Sequence, residues 1–558
     1  MHDLVIRGAM MADGVGNPLI RADVAVKGEH IVEIGDVTES ARQTVDADGL
    51  VLAPGIVDVH THYDAQLTWD SQATPSPSLG VTTVVMGNCG FSIAPCPPER
   101  REQMARNLAE VEGMPVAALE AGIDWSFESF PEYLALLRRK GCYPNAGVFV
   151  GHSAVRTTVL GAEASDRAAT EDEIATMRGI VKEALEAGAI GFATSTSINH
   201  YGEGGVPMPS RLAEDDEMSA LVGVLGEHGG GIFQLTVGPS MTNERMEGLA
   251  AATGRPVFMT AALHNETFPE RAIGMLEGAA AAQSRGNALW AQVSCQPLSM
   301  DFSMRTAFPL QSLDAWEPLH TASDEEFLAI IGSEDFRNRF RDELEKPQSG
   351  KIFYGDWRRV EVAMATTQAH RALEGETIET IAGREDRDPV DVMFDLAVDE
   401  RLGTTFNAAL LNADEAAVEG LLRHDAGLIS LSDAGAHLCY LCDAGYGLHL
   451  LGHWVRDKGV FDLEDGIRRV TSLPAQLYGI PDRGEIAPGK FADLLLFDPA
   501  TVGRGAIRRV DDLPGGESRL VRDASGVHGV WVNGTAVFDG DGYRDVAPPG
   551  HVLDSFLS

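Results

Sequence analysis

The stretch Pro54-Gly-Ile-Val-Asp-Val-His60-Thr-His62-Tyr-Asp64 decides how the chain is read. A short apolar, β-branched run, 56–60, ends in two histidines separated by one residue. Side chains on a strand alternate between faces, so His60 and His62 project to the same side. Two imidazoles on one face at the end of a buried strand are placed to share a metal ion. A lone His-x-His arises by chance; its position directly after an apolar strand raises it above a pair of solvent histidines.

Seven further runs of the same kind lie at 81–86, 146–150, 189–194, 231–237, 256–260, 289–293 and 428–432. Parallel strands buried on both faces read as continuous hydrophobic segments of this sort. Helical patterns lie between most of them. The clearest is 170–187, where Thr170 and Glu173 form a capping box and Ile174, Met177, Val181, Ala184 and Leu185 share one face. Segments 214–230 and 271–286 repeat it, each closing on Gly. Eight strands alternating with helices predict an α/β fold, a (β/α)8 barrel of TIM type, with the histidines at its C-terminal rim.

The ends break that pattern. Runs 4–7, 23–27 and 30–34 precede the first barrel strand, and 492–497 and 529–537 follow the last helix, all as alternating, Gly-punctuated strands. One small β-sandwich domain built from both termini, 1–54 and 481–558, is more economical than two tiny ones, leaving 55–480 as the metal-dependent barrel. Two barrel connections are oversized, at about 89–145 and 295–427, where about 2 to 6 residues are usual. The second is expected to fold over the barrel mouth as a lid, its Trp316, Phe327, Phe353, Tyr354 and Trp357 bounding an apolar acyl pocket. An oligomer contact is its alternative use, and a homo-oligomer stays open.

The 558 residues carry 44 basic and 83 acidic side chains, a net charge of −39. That balance repels phosphate backbones and excludes nucleic acid as the expected partner; an acidic, solvated surface explains it. No apolar run approaches the ~18 residues of a membrane span. Residues 1–10 lack the basic start, apolar stretch and cleavage site of a secretory signal, so a cytoplasmic enzyme acting on a small molecule is expected. Six cysteines, at 89, 96, 142, 295, 439 and 442, are too sparse for a disulfide scaffold. Cys439 and Cys442 have no second such pair for a zinc ribbon and read as structural thiols.

PGIVDVHTHYD, GVTTVVMGNCGFSIAP, VGHSAVR, SLSDAGAH and RGEIAPGKFADLLLFDP, in this order from about Val51 to about Val537, resemble the amidohydrolase superfamily, and within it the N-acyl-D-amino-acid deacylase (D-aminoacylase) family. Asn88-Cys89-Gly90 is the most specific match. The resemblance implies a hydrolase of carbon–nitrogen amide bonds other than peptide bonds, with His60 and His62 as metal ligands, Cys89 in the bridging place and Asp433 closing the last strand. The residue chemistry agrees: thiolate and imidazole suit zinc, and a carboxylate beside the metal both coordinates and moves protons. His152, with Arg156, matches the family's Gly-His-Ser stretch, and His437 the Ser-Asp-Ala-Gly-Ala-His spacing. Both are expected to bind substrate, whereas His200 reads as structural.

The departures are as informative. The family carries one histidine at the end of strand five and another at the end of strand six, where a gapless reading finds Thr236 and Ala261. His264, three residues further on, is a substitute ligand only if the register shifts, and reads more simply as a loop histidine. The expected cofactor is therefore one divalent ion, zinc, rather than two. Neither a phosphate loop, a Rossmann fingerprint nor a Gly-x-Ser-x-Gly elbow is present. The expected function is hydrolysis of an N-acyl amino acid or related amide by a metal-activated hydroxide, Asp433 being the catalytic residue. Two alternatives remain: hydrolysis of a cyclic, hydantoin- or lactam-like amide, and a metal-poor, non-catalytic barrel that binds an acyl ligand.

Overall fold

A computed structural model describes every residue except 312, 347–350, 352, 440 and 558, and the backbone alone of 308. Its centre is one parallel sheet of eight strands: Ile56–Asp58, Val81–Met86, Asn145–Gly151, Gly191–Ser195, Ile232–Thr236, Val257–Thr260, Leu289–Val293 and Gly427–Ile429. They neighbour one another in sequence order and are called strands one to eight below. Just beyond the last and first strands, Thr61 bridges Ala434 in parallel, and the His62 amide donates to the Ala434 carbonyl at 2.8 Å. The sheet thus curls into the (β/α)8 barrel expected from the apolar runs. Helix Glu171–Ala187 opens on the Thr170–Glu173 capping box and ends at Gly188, which adopts the left-handed conformation, φ 110°, that glycine takes at least cost.

The lower barrel is apolar: Val57, Val59, Val85, Phe149, Phe258 and Leu428 pack together, with Tyr478, Leu553 and Phe556 against them. The chemistry therefore collects at the opposite, C-terminal rim. N-terminal strands His2–Met11, Ile20–Lys27, His30–Gly35, Ala41–Asp46 and Val51–Pro54 share one sheet with Leu494–Phe497, Val527–Val532 and Thr535–Phe538 from the C-terminal end. Among the described residues no helix is long and apolar enough to cross a membrane.

The long connection after strand seven carries its own three-stranded sheet, Leu298–Phe302, Val360–Met364 and Thr405–Leu411, and its own hydrophobic core. Trp316, Phe327 and Phe353 are buried in that core, and Trp357 packs against it. Tyr354 meets Phe268 edge-on at 5.9 Å. None of the five aromatics lines the cavity beside His60 and Asp433, although Phe353 and Tyr354 line a separate one: a segment this long must bury apolar area of its own to fold, and most of its largest side chains go there.

Candidate metal centre

Strand one delivers both histidines. The Asp58 carboxylate accepts from the His60 amide at 3.3 Å, and Thr61, between the histidines, turns the other way to bond the Val85 carbonyl at 2.9 Å. Cys89 sits in a tight turn after strand two. A Cβ on Gly87 would lie 2.6 Å from the Phe149 carbonyl oxygen, so glycine is needed there. Cys89 itself is left-handed, φ 57°, as is Asp433, φ 46°, beyond strand eight. Non-glycine residues pay about 1–3 kcal/mol for such strain and hold it where the surroundings over-determine the site.

A single chain of hydrogen bonds sets the His60 tautomer. The Cys89 backbone N–H donates to Gln234 Oε1 at 2.8 Å, so the Gln234 amide nitrogen must be the group that donates to Thr260 Oγ1, at 2.7 Å. The Thr260 hydroxyl then donates to Gln292 Oε1 at 2.5 Å. That oxygen also lies 2.7 Å from His60 Nδ1, which must carry a proton to bond it. His60 Nε2 is left facing Cys89 Sγ at 3.5 Å and Asp433 Oδ1 at 3.1 Å. His62 Nε2 faces the same two atoms, at 4.0 Å from Cys89 Sγ and 3.5 Å from Asp433 Oδ1.

These separations test the site for a metal. A tetrahedral zinc with bonds near 2.0–2.1 Å to N and O and 2.3 Å to S has ligand–ligand edges of roughly 3.3–3.6 Å. The observed edges of 3.1, 3.5, 3.5 and 4.0 Å bracket that range. Among the described residues, His60, His62 and Cys89 are the group of three His, Cys or acidic donors close enough to hold one ion. Charge fits as well. Burial alone would lower the histidines and raise the two acids, yet Cys89 and Asp433 push His60 up to about 10, while the imidazoles hold Cys89 below its usual range and Asp433 well below its own. Two imidazolium protons balancing a thiolate and a carboxylate are electrically equivalent to one divalent cation with neutral imidazoles.

Glu112, from the connection after strand two, was not anticipated. It is 2% exposed and its Oε1 lies 3.0 Å from His62 Nδ1, the place of the carboxylate that orients a metal-ligating histidine. A carboxylate just past a helix end in a long insertion carries no local signature. Gln234, Thr260 and Gln292 did carry one: polar side chains inside otherwise apolar strands.

The cavity beside this cluster holds about 190 Å³ and includes Glu112, His200 and His437 in its lining. His200 is therefore a wall of the site, its Nδ1 2.6 Å from Ser195 Oγ and its ring edge-on to Phe91 at 4.9 Å. Burial holds its pKa down to about 3, so it is neutral.

His152 departs from the substrate-binding role expected of it. It is fully buried, with Nδ1 2.7 Å from Thr194 Oγ1 and Nε2 2.8 Å from Glu217 Oε1, and Glu217 is also paired with buried Arg156. The helix His152–Leu160 begins at that residue, which takes its ring into this cluster instead of the cavity. His264 does not replace a ligand either. It borders a separate cavity of about 330 Å³, its amide donating to Asn412 Oδ1 at 2.6 Å. Thr236 and Ala261 line the metal cavity.

The model of the amidohydrolase family matches residues 43–538. This chain belongs to the amidohydrolase family. It is 31% identical to a D-aminoacylase of Alcaligenes xylosoxydans xylosoxydans over 96% of the chain and 94% of that protein. Against an N-acyl-D-aspartate deacylase of the same organism it is 28% identical, over 99% and 95%. A solved D-aminoacylase, whose binuclear metal centre is described as activated by one metal and attenuated by a second, superposes with a TM-score of 0.68 at 26% identity and 100% coverage of both chains.

Proposed function

We propose that this amidohydrolase cleaves the amide bond of an N-acyl amino acid with one divalent ion, zinc, held by His60, His62, Cys89 and Asp433. The observation that carries the reading is the approach of both Cys89 Sγ and Asp433 Oδ1 to the Nε2 atoms of both histidines, at 3.1–4.0 Å, with the His60 tautomer fixed by Gln292. One ion is assigned because Thr236 and Ala261 are poor ligands in the places where the family carries its further histidines. The deacylase names of the relatives support the substrate class.

A divalent ion held there would supply Lewis acidity, which typically lowers the pKa of a water from about 15.7 to about 7 and polarises a carbonyl. The remaining work falls to the chain. Asp433, 19% exposed at the rim, accepts the proton of the attacking water and hands it to the leaving nitrogen, a role worth about 10² to 10⁴ in rate. His437 and neutral His200 on the wall orient the substrate through hydrogen bonds. Phe91, Val111, Leu298, Met300 and Leu411 form an apolar side of the cavity that receives the acyl group and excludes water. Three of these belong to the long insertion, which we read as a lid.

The test is a screen of zinc-loaded protein against N-acetyl-D- and N-acetyl-L-amino acids beside hydantoins. Release of free amino acid from one enantiomeric series supports the reading. Ring opening faster than any N-acyl hydrolysis overturns it, as does failure to hydrolyse either class with zinc bound.

A further inference from the structure

The metal cavity does not end at its own walls. Ser197, Asn199, Thr236, Thr260 and Leu411 line it and also line an adjoining chamber of about 190 Å³. Either chamber alone falls short of the roughly 300–1,000 Å³ of a small-molecule site; joined, they reach it.

The two chambers differ in charge. Among the described residues that line the inner one there is no Lys or Arg, and Cys89, Glu112 and Asp433 are all there. A substrate carboxylate placed inside would meet those acids with only the ion to offset them. The outer chamber contains two cations, Lys351 and Arg271. Lys351 is already engaged, its ammonium bonded to the Lys346 carbonyl at 2.9 Å and to the Glu343 carbonyl. Arg271 is exposed, and among the described residues no carboxylate lies within ion-pair distance of it.

The charge of Arg271 acts on the Tyr354 hydroxyl, which is no carboxylate. The position of this arginine is unfavourable for a cation without a carboxylate partner. Arg271 stands in the first turn of helix Glu270–Ser284, where the helix dipole disfavours a cation and favours an anion. Asn199, Asn265 and Ser197 line the same chamber and can donate further hydrogen bonds to an anion held in it.

We propose that the outer chamber is a carboxylate subsite in which Arg271 pairs with the carboxylate of the amino-acid half of the substrate, the acyl carbonyl pointing inward. This rests on the N-acyl amino acid reading above and adds the orientation of the substrate and the residue that selects its charge. Guanidinium and carboxylate match as a planar, two-pronged pair.

The test measures turnover and equilibrium binding of zinc-loaded wild type and Arg271→Gln with three ligands: N-acetyl-leucine, N-acetyl-leucinamide and the α-amide of N-acetyl-glutamate. The exposed position of Arg271 makes a folding defect in the variant unexpected. Arg271→Gln should raise KM and Kd for N-acetyl-leucine about tenfold or more, leave kcat within about threefold, and leave the neutral amide unchanged. A drop confined to the glutamate α-amide assigns the subsite to a side-chain carboxylate instead of the α-carboxylate. Equal changes for acid and amide, or no change for either acid, overturn the subsite. Arg271-dependent binding of N-acetyl-leucine without its hydrolysis by wild type leaves the subsite standing and refutes the hydrolase reading.

Discussion

Replacing Glu217 by alanine separates a structural His152 from a substrate-binding one. In the folded protein Arg156 is fully buried and Glu217 is its carboxylate partner. Its remaining bonds go to the carbonyls of Arg167, at 2.8 Å, and Ala164, at 3.3 Å. Removing one partner of a buried ion pair strands the other charge and costs about 3–5 kcal/mol. His152 Nε2 loses its acceptor in the same step, a further loss of up to about 1–3 kcal/mol that is not additive with the first. At about 2–4 °C per kcal/mol for domains of 150–250 residues, and less for a longer cooperative unit, Tm should fall by roughly 5–15 °C. Calorimetric scans at one fixed rate measure it, alongside kcat/KM well below the transition. The expected outcome is a lower Tm with kcat/KM within about threefold of wild type. The double variant Arg156→Met, Glu217→Leu should be less destabilised than Glu217→Ala, because it leaves no orphan charge. An unchanged Tm with kcat/KM reduced 10²-fold would return His152 to the substrate and refute the reasoning.

Glu112→Gln keeps the shape beside His62 but removes the charge that holds the ring, so zinc affinity should fall about 10–100-fold; competition against a chromophoric chelator measures it, and an unchanged Kd contradicts the role. His449 gives a pH prediction. Burial, with Arg504 and His453 adding, holds its pKa down to about 2, whereas in the unfolded chain it titrates near 6.5. The folded value lies below the unfolded one, so the stability His449 contributes is full above pH 6.5 and is lost as pH falls, by about 1 kcal/mol at pH 5.5. Wild type should therefore lose more Tm between pH 7.5 and 5.5 than His449→Gln does; equal losses contradict the assignment.

The barrel was legible because parallel strands buried on both faces leave uninterrupted apolar runs, and all eight runs became neighbouring strands. His60, His62, Cys89 and Asp433 each stand within a few residues of a strand end, which is why the sequence singles them out, and Cys89 and Asp433 both approach the two histidines; their role as ligands is the proposal made above. Glu112 was not singled out, because a helix-terminal acid more than 20 residues past its strand has no spacing to betray it. The aromatic content of the long insertion was visible, but composition does not say which way a ring points. Trp316 and Phe327 answer the insertion's own need for a core, while the cavity wall comes from its smaller Leu298, Met300 and Leu411. His152 shows the same limit at short range: position after a strand predicted the rim, and the helix starting there took the ring into a buried cluster with Glu217.

The central claim is that hydrolysis depends on one ion held by His60, His62, Cys89 and Asp433. Its most direct test is a titration of chelator-stripped enzyme with zinc, following hydrolysis of the best N-acyl amino acid at each addition. Activity should rise from zero and saturate at one zinc per chain, with His60→Ala remaining inactive throughout. Saturation only at two zinc ions per chain, or full activity in the stripped enzyme, would contradict the account.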